Sequence, residues 1–443
     1  MTANTAHAET NSFLDRWLVF AIWFYCYVYA LEGFVRYVLN SVGLDSLIFA
    51  RDVFLFLPVL LLFVQQFLKK NVHPAYWVYF AIIALHGSVF YLNFFIIPPV
   101  IFGIKILLPM LAGAVASAAF FKASKKAITL LLVLWLASSV GVFVDKYVAT
   151  FPWVGMMTTI GEVEVEISRD WQVTGDSYRA GGLSRSSLYV SNFMPLIALL
   201  LIFNLNAFWL RALVALGTIP VIYWTTQKGA LLAYLVVLAV LFAFPKKPLP
   251  AMRIAYFFFT LTAVLLPVAL PYFNLSHDSV GDFSNNSFIL RVEMMWPEAW
   301  DWIRRHEIFP FGVGLGGISS AQQIYAKNEI NAADNIFVFM YAYFGLMALV
   351  YLALIFWASV RLPAQGSREN TLAMAILLFI MTYGTVLSML EGQMAALFVG
   401  AALSWICYDR HRFATQPTTL TATPAPVSSL LLPSADQRRD KDA

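Results

Sequence analysis

The stretch Val190-Ser-Asn-Phe-Met-Pro-Leu-Ile-Ala-Leu-Leu-Leu-Ile-Phe-Asn-Leu-Asn-Ala-Phe208 contains no ionisable side chain. A helix needs roughly 17–25 apolar residues to cross the hydrocarbon core of a bilayer, and this run has that length. Comparable runs lie on both sides of it, at 15–39, 50–68, 75–96, 98–121, 127–148, 211–226, 229–245, 252–272, 334–360, 371–390 and 393–408. Composition agrees: 60% of the 443 residues are hydrophobic and 12% are charged, whereas a soluble domain carries about 25% charge. So little charge cannot cover a water-facing surface, which excludes an ordinary soluble enzyme. A net charge of +4, with no zinc-finger spacing, helix-turn-helix pattern or basic arm, excludes nucleic acid as a partner. Cys26 and Cys407 fall in apolar runs and read as packing residues. The expected fold class is an all-α integral membrane protein with about twelve transmembrane helices.

Basic residues orient the chain. Lys69–Lys70, Lys122/Lys125/Lys126, Lys246–Lys247 with Arg253, Arg361 with Arg368, and Arg410/Arg412 fall at every second connection, as the excess of Lys and Arg in cytoplasmic loops requires. Both ends are therefore expected in the cytoplasm. The first run follows a polar segment without a basic n-region or a small-residue cleavage site, so it reads as a retained helix. Residues 1–412 form the expected polytopic domain, and 413–443, rich in Thr, Pro, Ala and Ser, an expected disordered cytoplasmic tail. No fixed-period repeat points to an inverted-repeat transporter.

Two long polar segments, 149–189 and 273–333, both fall on the outer side and mix Trp, Tyr and Gly with charge, so chemistry is expected there. In the first, Gly161-Glu-Val-Glu-Val-Glu-Ile167 alternates like an extended stretch. Arg179 and Arg185 flank a Gly-Gly step that lets a ligand approach closely, and guanidinium binds phosphate in a bidentate fork; the bland alternative is contact with lipid headgroups. Lys228 sits in a connection too short to leave the headgroup plane, and Lys105 lies inside a span, where it must face a polar cavity or snorkel. In the second segment Val292, Trp296, Trp300 and Ile303 recur at helical spacing, predicting an amphipathic helix kinked or restarted at Pro297, with its Trp-rich face at the membrane interface. The Gly312/Gly314/Gly316/Gly317 series lacks a preceding strand and reads as a tight turn rather than a nucleotide site. Asp334 is either a helix N-cap or a base.

Arg179-Ala-Gly-Gly leading to Asn192, Gln227-Lys-Gly-Ala230, Arg291 with Trp296, Phe311-Gly-Val-Gly314, and Asp334-Asn335 with Phe344-Gly-Leu346 together resemble the O-antigen ligase and O-antigen polymerase superfamily, over roughly residues 127–360. The resemblance implies a glycosyltransferase of the bacterial inner membrane, working at the periplasmic face on an undecaprenyl-diphosphate-linked glycan donor and an acceptor glycan. It needs no nucleotide sugar, metal or other cofactor, and implies chain-length regulator and flippase proteins as partners beside the lipid bilayer. Two positions depart from the ligase pattern: Lys228 replaces an Arg, and Asp334-Asn335 replaces His-Asn. The second departure favours the polymerase branch, with inversion at the anomeric carbon.

On this reading the catalytic set is Asp334 as base, with Glu293 and His306 behind it, and Arg291 and Arg179 as cations for the leaving diphosphate. The substrate-binding set is Arg185, Lys228, Arg304, Arg305, Trp296 and Asn335. Alternatives are a ligase transferring the glycan to lipid A-core or protein, and a lipid-linked glycan flippase, whose charges would line a path through spans holding Lys105, Glu32 and Glu391.

Overall fold

The computed structural model describes residues 13–160, 163–169, 178–273, 286–363 and 367–409; the tail expected at 413–443 lies outside them. The apolar runs form helices, and their starts follow local chemistry. Ser124, Ser186 and Ser367 each accept a backbone N–H at the start of α7 (Lys125–Tyr147), α8 (Ser187–Asn204) and α17 (Arg368–Gly384). Proline opens α4 (Pro74–Phe94), α5 (Pro98–Val115) and α11 (Pro248–Ala269), where its missing N–H costs nothing. The other long helices are α1 (Phe13–Ala30), α3 (Ala50–Leu68), α9 (Phe208–Trp224), α10 (Lys228–Ala243) and α16 (Met347–Val360). Shorter ones are α2 (Glu32–Ser41), α6 (Ser117–Phe121), α12 (Asn286–Leu290), α13 (Trp296–His306), α14 (Gln322–Tyr325), α15 (Ile336–Phe344) and α18 (Gln393–Ser404). β2 (Val163–Glu166), in the stretch read as extended, pairs antiparallel with β1 (Met157–Ile160) just before it.

Among the described residues, six helices are long and apolar enough to cross a membrane, or eight if each of two bent pairs counts as one span. Three shorter apolar helices, Phe208–Trp224, Lys228–Ala243 and Gln393–Tyr408, fall on further expected runs. Two of those runs are not straight. The run at 15–39 bends by 82° between α1 and α2, and the run at 334–360 bends by 120° between α15 and α16. At the second bend Gly345 takes φ +59° with its α-carbon against the Pro310 carbonyl, a conformation and a closeness that only glycine accepts.

The interior belongs to α8, α17 and α18, apolar on all faces and buried. The flanks of α3, α9 and α11 expose Phe, Leu and Val outward, as lipid contact requires. α18 lies directly against α5: a Cβ at Gly400 would stand 1.8 Å from the Met110 carbonyl, and one at Gly113 1.9 Å from that of Leu397. Small residues let membrane helices meet backbone to backbone, and this contact seats α18 on α5.

The first bend holds a buried charged network. Glu32, fully buried at the break, accepts from Arg36 at 2.7 Å and from Arg51 at 2.6 Å. The chain of charges continues from Arg51 to Asp52 at 3.6 Å and from Asp52 to Lys105 at 3.1 Å. Lys105 is paired with Asp52 and lies over the Phe49 ring. Removing one member of a buried pair leaves its partner uncompensated, at a cost on the order of 3–5 kcal/mol. Glu32→Ala is accordingly expected to lower the melting temperature in detergent clearly; an unchanged melt would show that the network is not what holds the bend.

Candidate functional site

The segment expected to form an amphipathic helix does so as α12, a π-helical turn (Arg291–Met295) and α13 in one run. Pro297 explains the wide turn: in a regular helix its ring meets the carbonyl four residues back, and widening relieves that clash. Much of the tryptophan face packs against protein. Val292, Trp296 and Ile303 are buried in protein, and Trp300 donates to the Pro267 carbonyl at 3.1 Å. Trp296 is fully covered and packs edge-on against Phe288, so it serves packing and offers no open ring to a sugar.

Arg291 opens the π-turn. It donates to the Ser287 carbonyl and hydroxyl, both at 2.6 Å, and pairs with Asp334 at 2.9 Å. Asp334 reaches it because it is not the cap of α15. That role belongs to Asn335, whose Oδ1 accepts from Phe337 N at 2.8 Å and Val338 N at 3.0 Å, while Nδ2 donates to the carbonyls of Ala263 at 3.1 Å and Thr385 at 3.0 Å. Asn335 is fully buried with its amide fully used, so it is a structural residue rather than the substrate contact expected. Losing the cap and stranding two buried carbonyls costs about 2–4 kcal/mol. Asn335→Ala is expected to reduce both melting temperature and the amount of protein in the membrane; wild-type values for both would make the cap dispensable.

Arg179 joins this pair from the turn before α8. The charges of Arg179, Arg291 and Asp334 all bear on the Tyr383 hydroxyl at the end of α17. Tyr383 is 3.1 Å from the Ser191 hydroxyl and 3.5 Å from the Gln227 carboxamide oxygen. Burial, and then the neighbouring Arg291, push the Arg179 guanidinium below its ordinary value. The Nε groups of Arg179 and Arg291 are buried with no hydrogen-bond acceptor. Two like charges held together with donors unused form a site suited to an anion. Burial pushes the Asp334 carboxyl above the usual aspartate range; Arg291 opposes this and Glu391 adds to it.

Backbone strain gathers at the same place. Among the described residues, six other than glycine have positive φ, and four of them, Thr226, Ser319, Ala333 and Asp334, precede or contact site residues. Each costs of order 1–3 kcal/mol and persists only where its surroundings enforce it.

Most of the remaining expected residues lie elsewhere. Glu293 is exposed, two residues from Arg291 on the same helical run, a spacing that does not share a face. His306 lies about four turns beyond Arg291, its Nδ1 against the Trp302 carbonyl at 2.9 Å and its ring against Trp302 and Phe94. Arg304 and Arg305 are exposed near that end, with Arg305 paired to Glu329 at 3.0 Å. Arg185 bonds with Tyr189 and faces Glu32 and Arg51, beside the charged bend. Lys228 is exposed at the start of α10, next to Gln227. The Gly181 and Gly182 amides do not await a ligand: both donate to Asp145, at 2.9 and 2.8 Å, so the Gly-Gly step is a structural turn.

Tyr383 and Ser191 carried no signal in the sequence, and Glu391 stood out there only as a charge on the path that the flippase alternative would need. Glu391 accepts from the Ser319 hydroxyl at 2.7 Å, the Ser388 hydroxyl at 3.2 Å and the Ser320 amide at 3.0 Å.

The fold and site thus define a polytopic α-helical membrane protein with paired guanidinium groups and a carboxyl at the ends of its helices. Residues 212–353 match the family model described as O-antigen ligase, which supports the O-antigen ligase and polymerase superfamily read from the sequence motifs. Members of that family are glycosyltransferase-like enzymes acting on lipid-linked glycans in a membrane. Gln227, Arg291 and Asp334 fall inside the matched segment; Arg179, Tyr383 and Glu391 complete the site from outside it. No curated protein and no solved structure matches the chain.

Proposed function

We propose that the protein is a polysaccharide polymerase that transfers a glycan from an undecaprenyl-diphosphate carrier to the non-reducing end of another carrier-linked repeat unit, at the periplasmic face of the inner membrane. The observation that carries this reading is the convergence of Arg179, Arg291 and Asp334, three residues far apart in sequence, on one cluster. The alternation of basic connections supports about twelve crossings, cytoplasmic ends and an outer position for 149–189 and 273–333.

The chemistry follows from charge. The acceptor hydroxyl oxygen attacks the anomeric carbon and its proton passes to Asp334. The bond from that carbon to the diphosphate breaks with its electron pair on the phosphate oxygen, and the configuration inverts. Arg179 and Arg291 hold the growing negative charge in a site where preorganised cations act more strongly than water. Arg291 is also the partner of Asp334. A diphosphate competing for that guanidinium loosens its hold on the carboxylate and makes Asp334 a stronger base just as a substrate is present.

Incubating the purified protein with a lipid-diphosphate-linked repeat unit is expected to yield lengthened product on a gel. A deletion strain separates the reading from a ligase. Loss of a polymerase leaves single repeat units on the acceptor, whereas loss of a ligase accumulates long chains on the carrier, and that second phenotype would overturn the proposal.

A further inference from the structure

The turn that presents Asp334 is tied to Glu391. The Ser319 hydroxyl that meets Glu391 also lies 3.1 Å from the carbonyl of Ala332. The next two residues, Ala333 and Asp334, take φ of +58° and +39°, and Ser319 itself +69°. The Ser320 hydroxyl donates to the other Glu391 oxygen, together with the Ser320 amide. Glu391 stands at the end of the 3-10 turn Met389–Glu391, immediately before α18, which is seated on α5. A rigid element is thereby linked through one carboxylate to the strained turn.

We propose that Glu391 is a positioning residue for Asp334: through Ser319 it holds the turn that aims the Asp334 carboxyl, and it places a second acidic group beside that turn. The charged and titratable groups facing Asp334 are Arg291 from the π-turn, Glu391 from the turn before α18 and Tyr383 from α17, with Arg179 beside Arg291. Of these, Glu391 is the acid whose charge opposes ionisation of Asp334, so removing that charge moves ionisation to lower pH.

The role as base rests on the function proposed above; the tether and the charge effect do not. Glutamine separates the two contributions. Its amide oxygen still accepts from Ser320, and its NH2 group donates to the Ser319 and Ser388 hydroxyls, which accept as readily as they donate. The test uses the purified full chain labelled with dicyclohexylcarbodiimide, which reacts with protonated carboxyls, and follows modification of the Asp334 peptide by mass spectrometry against pH. In Glu391→Gln the labelling midpoint is expected to move to lower pH; in Ser319→Ala, which keeps the charge, it is expected to stay. A midpoint unmoved in Glu391→Gln overturns the proposal.

In a transfer assay with a lipid-diphosphate-linked repeat unit, Glu391→Ala is expected to lose about tenfold or more, Glu391→Gln to recover most of the rate, and the acid limb to follow the labelling midpoint. Full activity of Asp334→Asn alongside a shifted midpoint removes the base and leaves the positioning intact. An inactive Asp334→Asn with an unmoved midpoint does the reverse.

Discussion

An Arg291→Ala protein is expected to reach the membrane in normal amount and to lengthen no glycan. Removing one preorganised donor from a developing anion typically costs about 10²–10³-fold. Arg291 serves both the proposed diphosphate and Asp334, so the loss should reach about 10³-fold or more. Arg291→Lys keeps the charge but not the planar fork, and belongs between the two. Arg179→Ala should likewise lose activity, but gain stability. A buried guanidinium beside a like charge is unfavourable, so its removal is expected to raise the melting temperature while lowering transfer, the compromise common at functional sites. Normal polysaccharide length in Arg291→Ala, with matched protein levels, would remove this arginine from the mechanism.

Asp334→Asn is expected to lower transfer by about 10²–10⁴-fold, the usual contribution of a positioned base. Asparagine keeps the size of the side chain and tolerates the positive φ of this position. The acid limb of the wild-type pH–rate profile should lie above the range of an ordinary aspartate, because burial raises the proton affinity of Asp334; in the variant that limb should disappear. The sign for stability follows from the same shift. A carboxyl whose pKa rises on folding contributes most in acid, below its unfolded pKa, and that contribution is lost as pH rises through the folded value. At neutral pH the variant is therefore expected to lose the Arg291 pairing without losing a favourable ionisation. Wild-type transfer rates across the whole pH range would show that Asp334 takes no proton.

The helices were legible because apolar runs of bilayer length admit few alternatives. Their bends were not, since the network at the first joins Glu32 to Arg51, nineteen residues away, and pattern alone does not pair distant charges. Arg179, Arg291 and Asp334 stood out because charge near a membrane is scarce. The same criterion over-collected: Arg304, Arg305 and Glu293 are charged because they face outward, and His306 is an aromatic packing partner. Trp296 and Asn335 were read as contacts with substrate because burial cannot be seen in a sequence. Tyr383 and Ser191 were missed for the opposite reason, being ordinary residues of apolar helices that become site residues only where α8 and α17 meet.

The division of labour between Asn335 and its neighbour has a consequence for position 334. With the helix start entrusted to Asn335, position 334 owes nothing to capping; beside its pairing with Arg291 it is constrained by its left-handed backbone, which Asp, Asn and His accept more readily than most residues. Two of those three carry a proton at useful pH. Position 334 can therefore change its chemistry, to asparagine or histidine, while the helix that starts beside it keeps its own cap.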